Sequence, residues 1–87
     1  LLLMKHSRME VIIYSKDNCS ICLEVKKKLR KYNPKILLLD KDIAREEFFK
    51  KFPNSKTMPQ VVIDNKHIGG YNDLEKWLAF RSFDEEF

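Results

Sequence analysis

The chain has 87 residues, 44% of them apolar and 34% charged, and a net charge of +4. That length allows one small domain with a modest core, and the composition argues against a disordered chain. No apolar run nears the roughly 20 residues that span a bilayer, and Leu1-Leu2-Leu3-Met4 lacks the charged, apolar and small-residue regions of an export signal.

Two cysteines are too few for a disulfide-stapled scaffold, so a reducing cytoplasm is the expected setting. Lys5 and Arg8 supply half of the charge excess, and Lys26-Lys27-Lys28 falls on a helix whose other side is apolar. A solvated face explains that run better than a phosphate-binding patch, so neither nucleic acid nor a membrane is an expected partner. The sequence opens on Leu1, whereas Met9 stands directly before the first strand-like run. Residues 1–8 are therefore expected to be an N-terminal extension, disordered or foreign to the native chain. The domain is expected over residues 9–82, with an acidic tail at 83–87.

Met9 to Tyr14, apolar and β-branched, predicts a strand suited to a sheet interior. Cys22, Val25, Leu29 and Tyr32 then recur at three- and four-residue spacing, which predicts a helix stopped by Asn33-Pro34. Lys35 to Asp40 predicts a second strand, and strand, helix and strand on short links make a right-handed unit with parallel strands. Asp42 is the predicted cap of a second helix carrying Ala44, Phe48 and Phe52 on one edge and ending at Pro53. Gln60 to Asp64 predicts a third strand, Asn65-Lys66 a turn, and His67-Ile68 a brief fourth strand broken by Gly69-Gly70. Asn72 with Glu75 resembles a capping box opening a last helix with Leu74, Trp77 and Leu78, and Asp84-Glu85-Glu86 is expected to fray.

Cys19-Ser20-Ile21-Cys22 lies at the first strand-to-helix junction. There, unpaired backbone N–H groups and the helix dipole favour an anion. Such placement lowers a thiol pKa from about 8.5 toward about 3.5–7.5, so Cys19 suits a nucleophile. Cys22, one turn deeper, can attack a mixed disulfide formed at Cys19. The competing readings are two small core residues or half of a zinc site. Zinc needs about four ligands, and only His6 and His67 remain, at unhelpful spacing. Tyr71 and Trp77 are expected in the core, and His67 on a hairpin surface. Together, C-x-x-C and the element order β-α-β-α-β-β-α point to a thioredoxin-like α/β fold.

Three separated stretches carry a more specific likeness: Cys19-Ser20-Ile21-Cys22, Thr57-Met58-Pro59-Gln60-Val61, and Ile68-Gly69-Gly70-Tyr71-Asn72-Asp73-Leu74. Together they resemble a glutaredoxin from about Met9 to Phe80. The resemblance implies a four-stranded mixed sheet of order 2-1-3-4 flanked by three helices. It also implies a glutathione-dependent thiol–disulfide oxidoreductase, with Cys19 as attacking thiolate and Cys22 as resolving thiol.

By the same likeness Pro59 would be cis and face the cysteines. The Met58 backbone would pair with the cysteine of glutathione, and Thr57 would shape the loop. Gly69-Gly70 would let the chain turn close under the site without a clashing Cβ. Gly70, Asn72 and Asp73 would take the γ-glutamyl end, and Lys16 the glycyl carboxylate. A contact from the second helix is harder to assign, because Glu46 and Glu47 stand there and only Lys50 or Lys56 offers a substitute. Relatives often carry proline and an aromatic between the cysteines, where Ser20 and Ile21 stand here. The missing aromatic removes one wall of the groove.

A small residue at the Ser20 position accompanies, in some relatives, a 2Fe–2S cluster shared by two protomers and two glutathiones. That is one alternative function, with Cys19 as the ligand. An electron donor reduced by thioredoxin reductase is another, against which the intact Gly69–Asp73 stretch argues. The implied partners are glutathione and disulfide-containing or glutathionylated proteins, with ribonucleotide reductase a family expectation, and a monomer is expected.

Overall fold

A computed structural model describes residues 9–55 and 57–86 of the chain. Among them run β1 (Val11–Ser15), α1 (Ser20–Leu29), β2 (Lys35–Leu38), α2 (Arg45–Lys51), β3 (Gln60–Ile63), β4 (Lys66–Gly69) and α3 (Tyr71–Glu86). β1 pairs parallel with β2 and antiparallel with β3, and β4 is antiparallel to β3, giving the predicted order β2-β1-β3-β4.

The strands alternate, so the sheet buries both faces. Val11, Ile13, Val61 and Ile63 face Val25 and Leu29 of α1 and Leu74 of α3 in one aliphatic cluster. Tyr14 and Val62 face the other way, with Phe48 and Phe52 of the α2 segment, Ile43, Met58 and Cys22. Each such side chain withdrawn from water contributes about 1.5–3 kcal/mol, so the two layers pin both ends of the segment holding the cysteines.

The helical stripe predicted after the cysteines is present, with Cys22, Val25 and Leu29 buried. Tyr32 is partly buried in a 3-10 turn, Arg30–Tyr32, that closes on Asn33 in the left-handed region (φ 54°). Asp64 and Asn65 both have positive φ (50° and 67°), the geometry of a two-residue hairpin turn. Val61 pairs with Gly69 but Val62 with His67, so Ile68 is an extra residue, a bulge beside the site.

Two predicted caps are corrected. The N-cap of α2 is Ala44, which has no side chain able to accept a bond. Asp42 instead accepts a hydrogen bond from the Leu38 amide (2.9 Å), because β2 ends in a turn that folds back onto it. α3 starts at Tyr71, so Asn72 lies within its first turn, and the Gly70 carbonyl accepts the bond from the Leu74 amide. Glu75 is drawn away from that terminus to an ion pair with Lys28 of α1 (2.7 Å). The helix also continues through Asp84-Glu85-Glu86, where a frayed end is predicted. Residues 1–8 and Lys56 lie outside the described residues. No helix of the described residues is long and apolar enough to cross a membrane.

Candidate active site

β1 ends at Ser15, and the chain passes through Asn18 in the left-handed region (φ 53°) before Cys19. Asn tolerates that conformation better than most residues, which allows the sharp entry into α1. Cys19 is the N-cap, with extended backbone (φ −129°, ψ 103°), and its Sγ accepts a hydrogen bond from the Cys22 amide at 3.2 Å. An acceptor sulfur on the first-turn amides is the geometry that stabilises a thiolate there. The two cysteines are joined as a disulfide with Cα atoms 5.2 Å apart. Cys22 is 1% exposed, whereas Cys19 is only partly buried, so one sulfur is open to a substrate and the other is sealed in the core. Beneath them the Tyr14 phenol is held above its ordinary pKa, by burial first and then by the Glu47 carboxylate.

A cleft of about 640 Å³ opens beside Cys19, within the range of small-molecule sites. The β1–α1 loop gives it Lys16 and Asn18 and the start of α1 gives Ser20; the loop before β3 gives Thr57, Met58 and Pro59; and Gly70, Asn72 and Asp73 complete it. All nine residues predicted for the site, the two cysteines included, therefore meet at this cleft or directly behind it. The Met58–Pro59 bond is cis, as the resemblance implies.

The steric demand in Gly69-Gly70 falls on the first glycine. Gly69 has φ +124°, and a Cβ there would lie 2.8 Å from the Asp73 carboxyl carbon. At Gly70 a Cβ would meet the Pro59 carbonyl at 3.5 Å, an ordinary contact. Gly69 thus folds the Asp73 carboxylate back over the turn, at the N-terminus of α3.

Four residues reach this region without being singled out for it in the sequence. Asn18 lines the cleft, and its place one residue before the cap is a signal that could have marked it. Tyr71, expected in the core, packs partly on the aliphatic cluster and also lines the cleft. Gln60 lines the floor. Arg45, the first residue of α2, joins Lys16, Lys41, Thr57 and Met58 around an adjoining groove; of the two substitutes named from the sequence, Lys50 does not line it and Lys56 lies outside the described residues. Arg45 pairs with Asp40 (2.7 Å) and Lys41 with Asp17 (3.7 Å), tying the groove's walls together. Ile21 is 51% exposed on the cleft's rim, so it provides an apolar edge where an aromatic wall is absent. Among the described residues, no group of three or more His, Cys, Asp or Glu side chains is placed to hold a metal ion.

The glutaredoxin family model matches residues 11–68, which include both cysteines and Thr57-Met58-Pro59. The chain belongs to the glutaredoxin family. It is 34% identical over 70 residues to glutaredoxin 1 of Rickettsia prowazekii, covering 74% of this chain and 72% of that one. With glutaredoxin 1 of Escherichia coli it shares 29% identity over 79 residues, covering 80% and 93%. The crystal structure of glutaredoxin 1 from Francisella tularensis, complexed with cacodylate, superposes with a TM-score of 0.69 at 27% identity, over 87% of this chain and 98% of that one. Membership and the partly accessible N-cap cysteine together make the protein a thiol–disulfide oxidoreductase of thioredoxin-like fold.

Proposed function

We propose that the reductant is glutathione and that the cleft beside Cys19 binds it, as free thiol and as mixed disulfide. The observation that carries this reading is the cleft's polarity. Lys16 borders both this cleft and the adjoining groove, the first turn of α3 with Asp73 borders this cleft alone, and Cys19 lines it with them. A tripeptide thiol with a carboxylate at each end and an ammonium at one matches that set: Lys16, aided by Arg45, for the glycyl carboxylate, the α3 amides at Asn72 and Asp73 for the γ-glutamyl carboxylate, and the Asp73 carboxylate for the ammonium. Thr57, Met58 and Pro59 form the wall along which the central cysteine lies, and Gly70 leaves its end open.

In the one-thiol route the Cys19 thiolate attacks the glutathione sulfur of a glutathionylated substrate. The substrate thiolate leaves, and glutathione stays bound through a disulfide to Cys19. A second glutathione thiolate attacks that glutathione sulfur, releasing oxidised glutathione and the Cys19 thiolate. In the two-thiol route Cys19 attacks a protein disulfide, and Cys22 then attacks Cys19, releasing the reduced substrate and closing the Cys19–Cys22 disulfide. Two glutathiones reopen it. A monomer acting in the cytoplasm on protein disulfides and glutathionylated proteins is the corresponding physiological reading.

A coupled assay tests it, with glutathione, glutathione reductase, NADPH and a small glutathione mixed disulfide, and with the visible spectrum recorded first. Rapid NADPH consumption by a colourless protein is expected. A brown protein with slow turnover would refute the reading in favour of cluster carriage, and turnover restored only by thioredoxin reductase would refute glutathione as the reductant.

A further inference from the structure

Besides the Tyr14 phenol, two polar side chains are buried among the described residues: Ser15, at the end of β1, and Gln60, 6% exposed, on the floor of the cleft. A buried amide is costly unless its hydrogen bonds are made, so the bonds it makes show what holds it there. Gln60 Nε2 donates to the Thr57 carbonyl at 3.0 Å, across the loop that carries the cis Met58–Pro59 bond. Gln60 Oε1 lies 2.7 Å from His67 Nε2.

The direction of both bonds follows from chemistry. A carbonyl only accepts, so the Gln60 NH₂ must face Thr57 and its oxygen must face His67. His67 Nε2 must then carry hydrogen and donate, which it does both as the Nε2-protonated neutral ring and as the cation. The ring is fixed in turn by packing on Phe52, centroids 4.4 Å apart. The two-residue turn brings this about: with Ile63 opposite Lys66, His67 falls opposite Val62, on the same sheet face as Gln60, and the bulge at Ile68 follows it. Gln60 also sits under the second glycine, its Nε2 3.9 Å from where a Gly70 Cβ would be.

We infer that Gln60, oriented by His67, is a positioning residue that holds the Thr57–Pro59 wall of the cleft at the spacing that binds the substrate's central cysteine. The inference rests on the glutathione reading for what occupies the cleft; the brace itself rests on the two bonds. Gln60 touches no reacting atom, so its loss weakens binding of ground state and transition state alike. That signature is a raised KM at little-changed kcat.

The experiment is steady-state kinetics of the full chain with a small glutathione mixed disulfide, on wild type, Gln60→Leu, His67→Phe, His67→Gln and the Gln60→Leu/His67→Phe double variant. Gln60→Leu strands the Thr57 carbonyl and should raise KM roughly tenfold with kcat within about twofold. His67→Phe is an exposed change that keeps a ring on Phe52 and removes only the donor, so it folds even where Gln60→Leu does not. It should raise KM severalfold, and His67→Gln, which restores an N–H donor, should bring KM back. The double variant should be no worse than Gln60→Leu, because both break one chain of bonds.

Nitrogen NMR of His67 supplies a reading independent of turnover. The neutral ring should be held Nε2-protonated in wild type and become a tautomer mixture in Gln60→Leu. An unchanged KM in His67→Phe, or additive effects in the double variant, overturns the inference while leaving the glutathione reading intact. A wild type that does not turn over the mixed disulfide, yet shows the held tautomer, refutes the glutathione reading and with it the substrate role of an otherwise real brace.

Discussion

The two faces of the sheet differ in what their cores are made of and in what they hold. The face under α1 and α3 is closed by the aliphatic Val11, Ile13, Val25, Leu29, Val61, Ile63 and Leu74, with Tyr32, Tyr71 and Trp77 packed at its edge. The face under α2 has a buried ring cluster at its centre, Tyr14, Phe48 and Phe52 in mutual edge or tilted contact at 5.2–5.6 Å, among Ile43, Val62 and two sulfur side chains. Cys22 and Met58 are embedded in that second layer. The aliphatic layer therefore reaches the cleft only at its edge, through Tyr71, while the aromatic layer is continuous with it: a ring that shifts there moves the resolving cysteine or the wall of the cleft.

The sharpest way to probe that division is at the cysteines, which stand at the edge of the aromatic layer. Cys19→Ser should abolish both the one-thiol and two-thiol activities, since no other thiol caps α1. Cys22→Ser should keep reduction of a glutathione mixed disulfide and lose reduction of protein disulfides. Measuring equal losses from both variants in the two assays would show that the roles are not divided between an open and a sealed sulfur.

Core truncations come next. Phe48→Ala and Leu29→Ala each remove a fully buried side chain, at costs of about 3–5 and 2–5 kcal/mol in denaturant unfolding. Corrected for the fraction folded, only Phe48→Ala should also raise KM. Equal kinetic effects from the two would erase the distinction between the layers.

Alkaline pH should attack the aromatic face first. The folded state holds the Tyr14 phenol above its ordinary pKa, so the unfolded chain ionises first as pH rises through about 10, and stability falls there. Tyr14→Phe should flatten that fall, and an unchanged alkaline unfolding profile would contradict it.

The smallest effect belongs to the aliphatic side, where Lys28 and Glu75 clip α1 to α3. Their hydrogen bond, above all, raises the Lys28 pKa and lowers that of Glu75. The lowered carboxyl gives stability that is present above the carboxylate range of an unfolded Glu and lost as pH falls through the folded value. The raised ammonium gives stability lost as pH rises through its own folded value. Lys28→Met should lower the melting temperature slightly at neutral pH and hardly at all in strong acid or high salt. A deficit that persists in acid would point to lost packing of the lysine stem instead.

Much of this molecule was legible in its residues because the signals are local. Strand, turn and helix follow from the apolar periodicity around Val11–Tyr14, Val25–Leu29 and Val61–Ile63, the parallel pairing of β1 and β2 follows from a short strand–helix–strand link, and the full sheet order came with the family likeness. The C-x-x-C spacing at a helix start implies its own chemistry, and the cis bond at Pro59 came from the family likeness. What local pattern misplaced were hydrogen-bonding choices with more than one solution. Asp42 and Asn72 are both good cap residues, yet one turned back to the Leu38 amide and the other fell inside a helix that starts earlier.

The sequence by itself determined the order of elements and the reactive pair, because each depends on neighbours within a few residues, while the three stretches that meet at the site were marked by the family likeness. Only the tertiary structure decided that Arg45 reaches the groove beside Lys16, that Tyr71 serves core and cleft together, and that the β3–β4 register sets His67 against Gln60. Those pairings join residues from different elements, and their geometry exists only once β3 and β4 are in register and α2 is packed across the sheet.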